Sequence, residues 1–224
     1  MKNHLCIVAA MVSLALLSGC STVKVKSSTA RFHTLPPEGS GQTFLFDPTQ
    51  SQRGSLEYEA YAELIEEKLI QYGWVPGTDP EDADYLVVFL YSIDGGETVS
   101  GSRPIYGQIG GGISVTSGSV RGPGGRSSFT GTTYTPSTFG QVGSAPYTKE
   151  VYGRSFDLSI LDNQRSTPEE TVIVYEGRVT SRGSAGQLAA VIPTMIEALF
   201  LDFPGVSGDA GEVALPSKNE PDQS

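Results

Sequence analysis

The stretch Asp84-Tyr85-Leu86-Val87-Val88-Phe89-Leu90-Tyr91-Ser92-Ile93 decides the fold. Residues 86–90 are apolar without alternation, which predicts a central strand covered on both faces. Working outward toward the N-terminus, a helix precedes it. Ser55 is placed to cap that helix, Glu57 and Glu59 occupy the first turn where the macrodipole favours carboxylates, and Gly73 stops it. Tyr58, Ala62, Ile65, Leu69 and Tyr72 recur at spacings of three and four and form one apolar stripe. Trp74 follows the stop and is expected to fold back on the helix end. Before the helix, Thr43-Phe44-Leu45-Phe46-Asp47 reads as a strand ended by Asp47-Pro48. Strand, helix and strand in this order predict a right-handed crossover between parallel strands.

Toward the C-terminus, Tyr152, Phe156, Leu158 and Ile160 alternate with Gly153, Ser155, Asp157 and Ser159, a strand with one solvated face. A polar turn over 162–170 leads to a partner strand over 172–179, giving an antiparallel hairpin. Ser184 and Gln187 have the spacing of a capping box, which would open a second helix running to Leu201 with a kink at Pro193. That helix is apolar almost all round. The fold class expected is α+β: a mixed sheet of about four strands with two helices packed on it.

Residues 97–147 interrupt this pattern. They hold 12 of the 27 glycines, so the segment reads as a long glycine-rich insertion. A structureless loop of such length is uncommon in a compact domain. Two outcomes are open: small hairpins turning at Gly110-Gly111-Gly112 and near Gly131, or a mobile segment. Tyr106, Phe129, Tyr134 and Phe139 put amphipathic aromatic surface on it, of the kind enriched at interfaces, and are the candidate binding residues.

The N-terminus carries an address. Lys2, the 13-residue apolar run over 5–17 and Leu17-Ser18-Gly19-Cys20 fit a secretory signal over 1–19. The run is shorter than the roughly 20 residues that span a bilayer core. The Leu-Ser-Gly-Cys end resembles a lipobox, which implies cleavage before Cys20 and lipidation of its sulfur. Ser21, where an Asp commonly retains such proteins in the inner membrane, implies the outer membrane with the body facing the periplasm. Residues 20–30 read as a tether and 206–224 as a disordered acidic tail. After cleavage, 14 basic residues face 25 acidic ones, a balance that repels nucleic acid. Cys20 is then the sole cysteine, so no internal disulfide and no thiolate metal site can form.

No catalytic constellation emerges. Asp79, Glu81, Asp82 and Asp84 lack the spacing of a calcium loop and read as a solvated turn. The glycine runs lack the Gly-Lys-Ser/Thr ending of a phosphate loop. His33 is the sole mature histidine, and its plain reading is an incidental surface side chain. Arg154, Arg178 and Arg182 could line one side of the hairpin and meet an anion.

The chain resembles the bacterial lipoprotein family known as the domain of unknown function DUF4136, over roughly residues 30–205. The matching stretches are Thr43 to Asp47, the helix with Tyr72-Gly73, Asp82 to Val88, Phe156 to Asp162, Val174-Tyr175-Glu176-Gly177 and Phe203-Pro204. Where such proteins often carry Trp-Arg-Gly, this one has Tyr175-Glu176-Gly177. The resemblance implies an α+β domain over 31–205, an envelope location and no known reaction. The expected role is non-enzymatic binding or scaffolding through the insertion. Partners would be the membrane, through the anchor on Cys20, and other envelope proteins. No cofactor, metal or nucleic acid is expected. The alternatives are a cell-envelope hydrolase with spatially paired carboxylates and a small-ligand carrier. Replacing the anchor, Cys20→Ala, is predicted to abolish incorporation of labelled lipid and to block the cut; incorporation that persists in the variant would refute the address.

Overall fold

The computed structural model describes residues 24–167 and 169–217. The signal segment, Cys20 and Ser21 lie outside these residues. In chain order the elements are β1 (Lys24–His33), β2 (Thr43–Phe46), α1 (Leu56–Tyr72), β3 (Val75–Pro76), β4 (Tyr85–Ile93), β5 (Glu97–Ile109), β6 (Gly112–Gly122), β7 (Gly125–Thr135), β8 (Thr138–Asp162), β9 (Ile173–Gly183), α2 (Ile192–Phe200) and β10 (Ala210–Pro216). Two units result. A body comprises residues 24–96 and 151–217, and a ribbon comprises Glu97–Glu150.

The body contributes seven strands of an α+β sheet in the order β10-β1-β9-β8-β4-β2-β3, and β5 of the ribbon, which pairs with β8, is the eighth. β2 runs parallel to β3 and β4, while the remaining body neighbours are antiparallel. The parallel β2–α1–β4 unit was legible from element order. The strand count was not: the sheet has twice the four strands expected. Most of β1 lies in the stretch that reads as a tether, because Val25, Ser27, Thr29 and Arg31 make a buried face with one apolar member among four. β10 falls in the stretch expected to be disordered; it pairs with β1 from Lys24↔Pro216 to Ala30↔Ala210. Main-chain pairing, which composition does not reveal, holds both strands in place.

α1 forms as its signals dictate. The Ser55 hydroxyl accepts from the Tyr58 amide at 3.3 Å, and Gly73 ends the helix in the left-handed region at φ 108°. Tyr58, Tyr61, Ile65 and Leu69 are buried, with Ala62 and Tyr72 partly so. Trp74 does fold back onto the helix end: its ring meets Tyr72 edge-on at 5.5 Å, and it stacks on Tyr85 of β4 at 4.5 Å. α2 departs from expectation. Its N-cap is Val191, no side chain caps it, and Pro193 lies in its first turn. There the missing amide is one that no helical carbonyl would have received, so proline starts the helix instead of kinking it. The Ser184–Gln187 capping box does not open it; a short 3₁₀ turn over Leu188–Ala190 comes first.

β4 is also not covered on both faces. Val87 and Phe89 are buried, but Leu90 is 51% exposed. Both helices serve the Val87–Phe89 side, where Phe89 pairs with Leu158 and Val87 with Ile160 in the antiparallel register. The other side of the sheet, with Leu90 and Phe32, faces solvent.

Gly177 on β9 is demanded by packing. A Cβ there would lie 2.8 Å from both Leu199 Cδ1 of α2 and Tyr175 Cε1. Gly177→Ala should therefore destabilise the body by about 1–3 kcal/mol through overpacking, although alanine ordinarily suits a strand better than glycine. Thermal unfolding of the variant checks this. An unchanged or raised melting temperature would mean that α2 is not seated on β9.

Candidate functional site

The ribbon carries all four candidate binding residues, and it has neither a layer above nor below within its own unit. β6 and β7 pair over their full lengths, from Gly112↔Thr135 to Gly122↔Gly125. β5 pairs with β8. Neither expected turn forms: Gly110 and Gly111, both at positive φ (66° and 90°), mark a break within one arm, where Gly111 lies opposite Ser137. Gly131 instead lies mid-strand opposite Thr116. The one turn of the segment falls at Pro123-Gly124, so β5–β6 and β7–β8 form the two arms of a single long hairpin, broken at 110–111 and 136–137.

A regular device explains several of its glycines. Each accommodates a bulky side chain from the neighbouring strand. A Cβ on Gly118 would meet the Phe129 ring at 2.7 Å, one on Gly101 would meet Tyr147 at 2.6 Å, and one on Gly140 would meet Ile109 Cδ1 at 2.6 Å. Val142 lies against Gly107 in the same way, at 3.0 Å. Covering a glycine with an aromatic or branched side chain recovers contact that the glycine lacks. Polar links are few. Gln108 donates to the Ser137 hydroxyl, Arg126 donates to the Ser119 hydroxyl through Nε (3.2 Å) and Nη2 (3.1 Å), and the Arg103 guanidinium sits 5.5 Å over the Tyr147 ring.

The structure brings two of the four candidates together. Tyr106 and Phe139 stack with ring centroids 6.4 Å apart. Phe129 lies over Gly118, and Tyr134 faces Ile113 across the β6–β7 pair. All four are exposed, Phe139 to 79% and Tyr134 to 71%. Ile105, Ile109, Ile113, Val115, Val120 and Val142 are exposed with them. Exposed apolar surface of this extent, here spread over both faces of the ribbon, marks an interaction site. The aliphatic residues that punctuate the same segment are thus as exposed as the aromatic candidates.

The body offers less. A hollow of about 480 Å³ on the open sheet face is lined by Phe32, Leu90, Asp157, Ser159, Glu176 and Arg178. It contains two carboxylates, but Asp157 is ion-paired with Arg178. It is half-open to solvent, and Ala30, Phe32, Leu90 and Leu158 give it an apolar side. The three hairpin arginines are not on one side: Arg154 lies on the buried face, whereas Arg178 and Arg182 lie on the other. Alternation alone assigns them so, because Arg154 falls in step with Phe156, Leu158 and Ile160. His33 is half-buried, stacked on Tyr175 at 6.0 Å, with Nε2 at 3.3 Å from the Gly205 carbonyl. It is a packing residue of the β1–β9 pair and not an incidental surface group. In the acidic turn, the Asp84 carboxylate accepts from the Thr43 amide (2.8 Å) and hydroxyl (3.0 Å), and Asp79 accepts from the Glu81 amide (3.0 Å). Among the described residues no three His, Cys, Asp or Glu side chains gather into a metal cluster, and no helix is long and apolar enough to cross a membrane.

Sequence reading missed Arg31. It is buried on β1, and its Nη1 donates to the Leu201 carbonyl at 3.0 Å, just past α2, where a cation suits the helix dipole. Burial raises the Tyr175 phenol far above its ordinary value, with Arg31 opposing the shift. Burial likewise pushes Tyr58 up to about 12, with Asp47 and Tyr91 adding to it. Tyr61 is raised by burial and then by its hydrogen bond to Glu57 (2.8 Å). Raised tyrosines favour the fold wherever they stay protonated. That contribution is complete below the unfolded value of about 10 and is lost as pH climbs toward the folded values. Denaturant midpoints should hold steady near pH 8 and fall steeply by about pH 11. Tyr58→Phe should flatten the fall; a midpoint level across that range would contradict the burial of these rings.

A family model described as "Domain of unknown function (DUF4136)" matches residues 32–205. No curated protein and no solved structure matches the chain.

Proposed function

This chain belongs to the DUF4136 family, and we propose that it is a membrane-anchored envelope protein with a non-enzymatic binding or scaffolding role, in which the ribbon is the interaction element. The observation that carries this reading is the ribbon's exposed apolar surface. Tyr106, Phe129, Tyr134, Phe139 and their aliphatic neighbours lie on strands that no other layer of their unit covers. An isolated two-stranded ribbon is marginal in water, and such a surface normally acquires a cover. Leu17-Ser18-Gly19-Cys20 supports lipidation at Cys20, and Ser21 supports an outer-membrane location facing the periplasm. The chemistry available in the body favours neither hydrolysis nor enclosure of a ligand. A hollow that holds two carboxylates has Asp157 engaged by Arg178 and lies open on a sheet face.

The body's buried core draws on no residue of 97–150. Replacing Ser100 to Ser144 with a short Gly-Ser linker should thus leave a cooperatively melting domain, since loop closure cost changes slowly with length. Crosslinked partner recovery from envelopes should fall in the same variant. Unfolding of the variant would place the ribbon in the core. Undiminished recovery would move the binding role to the body.

A further inference from the structure

We propose that the ribbon is one stave of a membrane-spanning β-barrel that several copies of this chain close together. This rests on the reading of the ribbon as the interaction element and names its partner: further copies of itself, within a bilayer.

Charge is the first ground. Between Arg103 and Arg121 lie 17 residues without a charge, and between Arg126 and Lys149 lie 22. The described body, by contrast, carries nine basic and 21 acidic residues. A strand crosses a bilayer core with about 9–11 residues, so each arm has a sufficient uncharged window. Arginines at the far tip and charged residues at the base bracket those windows, as water-facing ends require.

Side-chain alternation is the second. On β5, Ile105, Gly107 and Ile109 share one face, and that face continues across β8 because Val142 lies against Gly107 and Ile109 against Gly140. On the next pair, Ile113 faces Tyr134 and Val115 faces Thr132. The opposite face has Ser114 against Thr133 and Thr116 against Gly131, with Gln108 and the Tyr106–Phe139 stack on β5 and β8; nearer the tip this division ends, since Phe129 and Val120 lie on the second face and Ser117, Ser119, Ser128 and Thr130 on the first. Over 105–115 and 132–142, about the length that crosses a bilayer core, an apolar face is backed by a mainly polar one with period two, the pattern of a barrel strand between lipid and lumen. Ile113 is 70% exposed and Val115 65%, so water is a poor environment for the apolar side.

The third is the unpaired edge. β6 and β7 bond only to each other, which leaves the outer amides and carbonyls of both strands open. Hydrocarbon tolerates no open edge, so further strands must close the sheet. Each chain contributes two strands at any level, and the smallest membrane barrels have about eight, so closure needs at least about four copies. Another copy fits because it brings the same uncharged windows at the same height and the same open edges.

The test uses the full-length protein in vesicles of phosphatidylethanolamine and phosphatidylglycerol loaded with a self-quenching dye, together with planar-bilayer recording and the mass of the detergent-extracted particle. Dye release, discrete conductance steps and a particle of at least about four copies are expected. Ile109→Arg with Ile113→Arg, on the apolar face, should cut release at least about tenfold while the body melts as before. Gln108→Arg, on the polar face, should keep the conductance and shift its selectivity toward anions. A monomeric particle, sealed vesicles, or wild-type release from the double variant would overturn the barrel. If the protein is monomeric and ribbon deletion still removes partner recovery, the barrel falls and the binding reading stands.

Discussion

The stack of Tyr58 on Phe89 organises this molecule. Their rings lie 4.4 Å apart and 3° from parallel, so α1 meets β4 at one flat contact. Phe89 also contacts Phe156 of β8 at 6.0 Å and Phe46 of β2 edge-on at 6.1 Å. A single side chain thus joins the crossover helix to both kinds of pairing in the sheet, the parallel one with β2 and the antiparallel one with β8. Once that face is committed to the helix side, pleat alternation sends Leu90 and Ser92 to solvent. The remaining body elements add to a frame already set. α2 covers the same face farther along, seated where Gly177 leaves room, and Arg31 satisfies its end from beneath.

This one-sidedness explains what was legible in the sequence. Periodicity and caps located α1, β2, β4 and the β8–β9 hairpin, because each buries an apolar face against the common core. β1 and β10 escaped because main-chain pairing holds them. A buried face of Val25, Ser27, Thr29 and Arg31 has no apolar rhythm to read. The unbroken run Leu86–Leu90 misled in the opposite direction. It implied two covered faces, yet both helices lie on the Val87–Phe89 face and the Leu90 face is open. Pro193 carried a true signal assigned to the wrong position, since proline inside a helix and proline in its first turn look alike without the boundary.

The ribbon was visible as an anomaly of composition and not as a structure. Its glycines read as low complexity, whereas several of them are places for side chains across the strand pair: Gly118 for Phe129, Gly101 for Tyr147, Gly140 for Ile109. That correspondence needs the register, which sequence alone did not supply. The four aromatic residues chosen from sequence do lie on exposed strand faces, but they do not converge on one patch. Their meaning comes with the aliphatic residues alternating beside them, in a ribbon nearly free of charge attached to an acidic body.

The central claim is that the body is complete without the ribbon, and that the ribbon is finished only by something outside the chain. Residue-resolved amide hydrogen exchange on the full-length protein, as a monomer in water and again after reconstitution in vesicles, tests it directly. Amides of β4, β8 from Val151 onward, and β9 should be protected in both states. Those on the outer edges of β6 and β7 should exchange rapidly in the monomer and become protected in the bilayer. Edge amides as protected as the core in the monomer, or as exposed in vesicles as in water, would contradict the account.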